Sequence, residues 1–257
     1  MHRFYVPGLG TENVVWIEGE EAWHLVRVLR ADVGDEVALF DGRGIECLGV
    51  VERLERSRAK IAVLRREAVS RDPALGVTLA CSVVKAKAMD LLVEKCAELG
   101  LRELIPVETR RSVPKLEERE ANHVARWERT AVEASKQCGR TTLTRIAPPR
   151  PLSALLARAQ DWDVRLAFSL GEDARPLKQV LLEHPSPRSL IYLIGPEGGF
   201  ERVELREAGA AGFEQVRLGR STLRTETAAA AALAAILYHY EDASQNGGRE
   251  TGEGNPS

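Results

Sequence analysis

Apolar residues along this chain follow two different periods, and the change between them divides it. Up to about residue 70 the apolar runs are short and β-prone, at residues 13–17, 35–40, 45–51 and 60–64, with Asp41-Gly42 and Gly44 as a hairpin-type turn. Between the first two runs, Trp23, Val26 and Leu29 are spaced to predict a helix over residues 20–29 with one buried face. Short strands, turn signals and one helix predict a small β-barrel. Arg71-Asp72-Pro73 interrupts either period and marks a boundary.

Beyond the boundary, strands alternate with helices. Strands are predicted at residues 77–84, 104–107, 164–169, 190–194 and 216–218, and helices at 88–99, 116–138, 201–211 and 225–240. Leu92, Cys96 and Leu99 share a face of the first helix, and Gly100 occupies the position of a left-handed cap. Val124, Trp127, Ala131 and Ala134 mark the buried face of the second, which Gly139 ends. Such alternation predicts an α/β domain around a mainly parallel sheet. Residues 244–257, rich in Gly, Asn, Glu and Ser, are predicted to be a disordered tail.

Composition narrows this picture only a little. The 257 residues suffice for one large or two modest domains, and 44% hydrophobic with 29% charged residues is an ordinary globular balance. A formal net charge of −2 excludes a surface coated in positive charge but leaves room for a local basic groove. Neither a signal-peptide core nor a membrane-length apolar run appears, so a cytoplasmic protein away from membranes is expected. Cys47, Cys81, Cys96 and Cys138 form no CxxC pair, and the histidines are not spaced with them as ligands; reduced thiols and no metal are expected.

Candidate chemistry lies late in the chain. The apolar run at 190–194 stops at Gly195-Pro196-Glu197-Gly198-Gly199, and a second break follows at Leu218-Gly219. Glycines after a buried strand let a ligand approach backbone groups that a Cβ would block; a tight structural turn explains them as well. In Leu223-Arg224-Thr225-Glu226-Thr227, Thr225 is expected as an N-cap with Glu226 and Thr227 in the first turn. Capping does not explain Arg224. A cation just before a helix N-terminus is disfavoured by the dipole, so an anionic partner is implied, a phosphate or a developing enolate oxygen.

Basic residues surround these turns. Lys85 and Lys87 follow the 77–84 strand and Arg110 and Arg111 follow the 104–107 strand, so in a parallel sheet they share one edge with the glycine turns. Lys136-Gln137-Cys138-Gly139-Arg140 closes the long helix and adds Arg140 to this set. A basic rim fits a phosphate-rich substrate such as RNA, although each residue singly also reads as solvated charge. Near the N-terminus, Arg27 and Arg30 form either a phosphate-contacting ridge or the polar side of an amphipathic helix.

Taken in order, HLVRVLR at 24–30, EKCAELG at 94–100, KQCGR at 136–140, GPEGGF at 195–200 and LGxxxLRTET from Leu218 resemble the RsmE family. These proteins methylate N3 of a uridine in the 16S RNA of the small ribosomal subunit. The resemblance covers about residues 3–240. It implies an α/β fold with a C-terminal SPOUT methyltransferase domain containing a trefoil knot (residues 74–243) and an N-terminal PUA-like RNA-binding β-barrel (residues 1–71). It further implies S-adenosylmethionine as cofactor and a homodimer. Carried over by position, the cofactor loops are Leu193, Ile194, Gly195, Pro196, Glu197, Gly198 and Gly199, then Leu218, Gly219, Leu223, Arg224, Thr225 and Thr227. The family often has Glu before the QCGR element where this chain has Lys136, so no acid–base role is expected there. Arg224 is the expected catalytic residue, stabilising charge on a uracil oxygen. Two other readings fit the same residues: a non-catalytic RNA-binding assembly factor, and a knotted methyltransferase acting on another RNA.

Overall fold

The structure, a computed structural model, describes residues 1–112 and 120–241. The expected tail and the first residues of the predicted helix at 116–138 lie outside that set. Strands β1 (His2–Tyr5), β2 (Val14–Glu18), β3 (Glu36–Phe40), β4 (Ile45–Leu54) and β5 (Arg58–Ala68) make one sheet in the order β1-β3-β4-β5-β2. All five strands, together with helix α1 (Gly19–Trp23), send side chains into one core that includes Phe4, Ile17, Ala22, Leu39, Val51 and Ile61.

Helix α1 is shorter than its spacing predicts. It passes into a π-helical turn at His24–Val28, closed by a bond from the Leu29 N–H to the His24 carbonyl at 3.0 Å. The wider turn shifts the phase of the side chains. Ala22 and Leu25 are therefore buried, Val26 and Leu29 are half-buried, and Trp23 is turned outward, 61% exposed. Arg30, at φ 53°, sits in the left-handed region just beyond.

The second sheet is parallel throughout. It comprises β6 (Gly76–Ser82), β7 (Glu103–Glu108), β8 (Arg145–Ile146), β9 (Arg150–Pro151), β10 (Val164–Phe168), β11 (Arg175–Pro176), β12 (Ser189–Ile194) and β13 (Glu214–Arg217). The order is β11-β13-β10-β12-β6-β7-β8, with β9 also on β7. Its central strands read as unbroken apolar runs because both faces are covered. Leu190, Tyr192 and Ile194 of β12 enter one core, whereas Ile191 and Leu193 enter the other. Helices α2 (Ala86–Glu98), α3 (Glu120–Cys138), α5 (Leu177–Glu183) and α7 (Thr225–Tyr240) supply the first face; α4 (Leu152–Leu156) and α6 (Arg202–Ala210) supply the second. In α2 the buried face is Met89, Leu92, Val93, Cys96 and Ala97, while Leu99, at the cap, is 39% exposed. Gly100 (φ 100°) and Gly139 (φ 84°) end α2 and α3 in the left-handed region, as their positions predict.

The KQCGR segment joins the two sheets' domains. Arg140 is 5% exposed, and its guanidinium donates to the Ala97 carbonyl (2.8 Å), the Thr144 hydroxyl (3.1 Å) and the Asp72 carboxylate (3.0 Å). Arg3 donates to the Arg140 carbonyl at 3.0 Å and Arg71 to the Gly139 carbonyl at 2.7 Å. Gly44 N–H donates to Thr141 O and Leu143 N–H to Gly42 O, each at 3.1 Å. Lys136 Nζ lies 3.0 Å from Glu21 of α1.

Candidate active site

Because the sheet is parallel, its carboxyl ends share one edge, and β10 lies between β12 and β13 there. Three loops leave this edge and enclose a cavity of about 390 Å³. Residues 168–171 come from β10, 194–200 from β12 and 217–223 from β13, with Leu205 of α6 and Ala228 of α7 completing the walls. The size lies within the range of small-molecule pockets. A crevice at the carboxyl edge is where open parallel sheets bind ligands.

The first glycine turn needs its glycines. A Cβ at Gly195 would stand 3.2 Å from the Gly199 carbonyl carbon and from Phe200 N, and Gly199 has φ 67°. Within the turn, Gly199 N–H donates to Pro196 O at 2.8 Å. Two side chains from elsewhere hold it. Thr225 Oγ1 donates to Gly195 O at 3.2 Å, and Arg111 Nη1 donates to Gly198 O at 2.6 Å. Thr225 is thus the first helical residue rather than the N-cap; Arg224 is the N-cap, and no side chain caps α7 there. The hydroxyl expected to close a helix end instead ties that helix to the turn. Glu197 is exposed and accepts no backbone hydrogen bond among the described residues.

Of the residues expected at a cofactor site, Ile194, Gly195, Glu197, Gly198, Gly199, Leu218, Gly219 and Leu223 line the cavity. Leu193 and Pro196 do not: their side chains are buried in the fold, Leu193 in the core of the second face. Arg224, Thr225 and Thr227 stand outside the lining, although Arg224 lies in sequence between the lining residues Leu223 and Ala228. It is exposed and enters no ion pair among the described residues. The walls are largely apolar, with Phe168, Leu170, Ile194, Phe200, Leu205, Leu218 and Leu223. Their charged members are Glu197 and Arg217, and Arg217 donates to the Ala174 carbonyl. Donation to a neutral carbonyl leaves the Arg217 charge in place. The wall thus presents one carboxylate, Glu197, and one guanidinium on otherwise apolar surface, which suits a largely apolar ligand carrying charged groups of both signs.

The wall at 168–171 was not anticipated. Its signal was present as a third apolar run ending in glycine, Phe168-Ser169-Leu170-Gly171, but only the sheet order puts it beside the other two. Of the basic set, Lys85, Lys87, Arg110 and Arg111 are exposed at the ends of β6 and β7, which follow β12 in the sheet. Arg27 and Arg30 are exposed in the N-terminal domain. Arg140 is a correction: its guanidinium is buried and occupied by interior acceptors, so it faces no phosphate. Burial pushes the Cys96 thiol up to about 12, and Cys47, Cys81 and Cys96 are buried free cysteines, inert as nucleophiles. Among the described residues no group of His, Cys, Asp and Glu is placed to hold a metal, and no helix is long and apolar enough to cross a membrane.

Comparison with known proteins adds identity to this geometry. Residues 71–237 match the model of an RNA methyltransferase domain, and residues 17–64 that of an RNA methyltransferase PUA domain. Ribosomal RNA small subunit methyltransferase E of Aquifex aeolicus is 31% identical over 92% of this chain and 99% of its own length. The protein of that name from Bacillus subtilis is 29% identical over 88% of this chain and 90% of its own. Among solved structures, ribosomal RNA small subunit methyltransferase E from Neisseria gonorrhoeae, bound to S-adenosyl methionine, superposes with a TM-score of 0.85. It shares 32% identity, covering 93% of this chain and 97% of that one. A methyltransferase from Legionella pneumophila in complex with SAM gives 0.86 at 28% identity, covering 92% and 96%. With a PUA domain, a parallel-sheet methyltransferase domain and relatives matched along nearly their whole length, the chain belongs to the ribosomal RNA small subunit methyltransferase E (RsmE) family.

Proposed function

We propose that the protein methylates N3 of one uridine in the 16S RNA of the small ribosomal subunit, using S-adenosylmethionine, as a cytoplasmic homodimer whose methyltransferase domain is knotted. The observation that carries the reading is the cavity where three strand ends meet, with two glycine-bearing turns and Glu197 in its wall. S-adenosylmethionine fits that lining: Glu197 would face its positive charge, the apolar walls its adenosyl part, and the glycine turns its polar edge. When bound, it supplies a methyl group on a positively charged sulfur.

The chain's own part in the reaction is electrostatic. Uracil N3 carries a proton in the neutral base, so attack requires that proton to leave and charge to spread onto O2 or O4. Arg224, exposed next to the lining residue Leu223 and in no ion pair among the described residues, would be the cation that stabilises that charge. Arg27 and Arg30 in the N-terminal domain, and Lys85 and Lys87 at the sheet edge, would hold RNA phosphates. The test is incubation with labelled cofactor and small subunits from a strain lacking the modification, followed by mapping of the methylated base. A single uridine blocked at N3 is expected. Label in another RNA, or cofactor binding without transfer, would overturn the reading.

A further inference from the structure

The loop after β7 carries two adjacent arginines that look equivalent as a basic rim, yet their surroundings differ. Arg111 reaches across to the glycine turn and donates to Gly198 O at 2.6 Å. Its stem lies over Gly198, where an added Cβ would be 3.4 Å from Arg111 Cδ. Both side chains lie at similar distances from Glu201, 3.8 Å for Arg110 and 3.9 Å for Arg111, but Arg110 makes no contact with the turn and its side chain is 62% exposed.

The loop is fixed from below. Ser82 Oγ, in a fully buried side chain at the end of β6, is 2.9 Å from Thr109 Oγ1, which is 2.9 Å from Ser112 Oγ. Glu204, 3% exposed on α6, accepts from two loops at once. One carboxylate oxygen takes the Arg110 N–H at 2.9 Å and the other the Glu201 N–H at 2.8 Å. A buried carboxylate with two backbone donors is a firm anchor. It ties the loop bearing Arg111 to the helix that begins where the glycine turn ends.

We propose that Arg111 and Glu204 are positioning residues for the cofactor turn, and that of the two arginines only Arg110 is left to contact RNA. The inference rests on the cofactor reading given above. A turn with three glycines has much backbone freedom to lose on ordering. A clamp that holds it in the binding shape before the ligand arrives raises affinity by preorganisation. The clamp is therefore read in cofactor affinity, whereas an RNA contact is read in the salt dependence of RNA binding.

The experiment compares the wild-type protein with Arg111→Ala, Arg111→Lys, Glu204→Gln and Arg110→Ala. Calorimetry measures S-adenosylmethionine affinity, and filter binding at several salt concentrations measures affinity for small-subunit RNA. Arg111→Ala should weaken cofactor binding by about tenfold, the worth of one charge-assisted hydrogen bond. Arg111→Lys should recover part of it, since an ammonium also donates to a carbonyl, and Glu204→Gln should weaken binding by a smaller factor. Arg110→Ala should leave cofactor affinity unchanged and lower the salt slope by about one. Equal cofactor affinity in Arg111→Ala and wild type, or identical RNA defects in the two alanine variants with no cofactor effect, would overturn the proposal. No cofactor binding by the wild-type protein would sink the underlying reading instead. Hydrogen exchange at the Gly199 N–H then decides the clamp, which requires faster exchange in Arg111→Ala.

Discussion

Two glycines in the cavity wall differ in what surrounds them. A methyl group at Gly195 meets the backbone of Gly199 and Phe200 at 3.2 Å, whereas at Gly219 it meets nothing within 4 Å. Gly195→Ala should therefore distort the turn and cost about 1 kcal/mol or more of stability as well as cofactor binding. Gly219→Ala should fold with an unchanged melting temperature and lose cofactor affinity alone, because only a ligand takes up the space there. Melting curves with and without S-adenosylmethionine separate the two outcomes. Arg224→Ala should lower turnover by about a hundredfold or more with cofactor affinity retained, in single-turnover assays against small subunits. The two glycine breaks of the cavity wall were legible in the sequence. The hydroxyl of Thr225 was not, since a Thr before an alanine helix is an ordinary cap signal. Its true acceptor, Gly195 O, lies thirty positions away in the chain.

At the scale of elements, β12 and α7 hold the site together. Tyr192, fully buried on β12, donates its hydroxyl to the Ala229 carbonyl of α7 at 3.0 Å, below the turn that Thr225 secures. Tyr192→Phe should keep the packing and lose about 1 kcal/mol, seen as a lower denaturation midpoint with an unchanged m-value. Strand runs such as 190–194 and the helix at Thr225–Tyr240 could be read from the chain because both faces of the sheet are covered and the alanines pack closely. The turn at His24–Val28 could not. Apolar spacing does not encode whether a bond closes at four residues or five, so the outward turn of Trp23 was unreadable. The two-residue strands β8, β9 and β11 carry too few positions to show a period. The third wall of the cavity was hidden for another reason: strand order is a long-range property, and β10 enters between β12 and β13 only on folding.

For the whole molecule, the polar joint decides how the two domains behave. Burial alone would raise the Glu46 carboxyl, but Arg71 and Arg3 outweigh it and hold its pKa below the ordinary value. A lowered folded-state value stabilises the protein above the ordinary glutamate range, and the contribution disappears as pH falls below about 4.3. Glu46→Gln should therefore flatten the acid limb of a melting-temperature profile measured between about pH 3 and 6. The wild-type protein should unfold in one calorimetric transition, since the segment that Arg140 anchors to Asp72 and to the end of α2 is itself bonded to Arg3, Glu21, Gly42, Gly44 and Val69 of the N-terminal domain. Replacing Arg140 by Met removes the cation paired with Asp72 and leaves that carboxylate only the Thr142 hydroxyl, which should loosen the joint and split that transition into two.

The placement of that joint also governs how such proteins can be recombined. Residues 136–143 belong to the methyltransferase domain by sequence, yet their partners include Arg3, Glu21, Gly42, Gly44 and Val69 of the N-terminal domain. A chimera cut at the Arg71-Asp72-Pro73 boundary would exchange one half of each pair and keep the other. Domain grafts between relatives should thus succeed only when this segment travels with the N-terminal domain, although some seventy residues separate them in the chain.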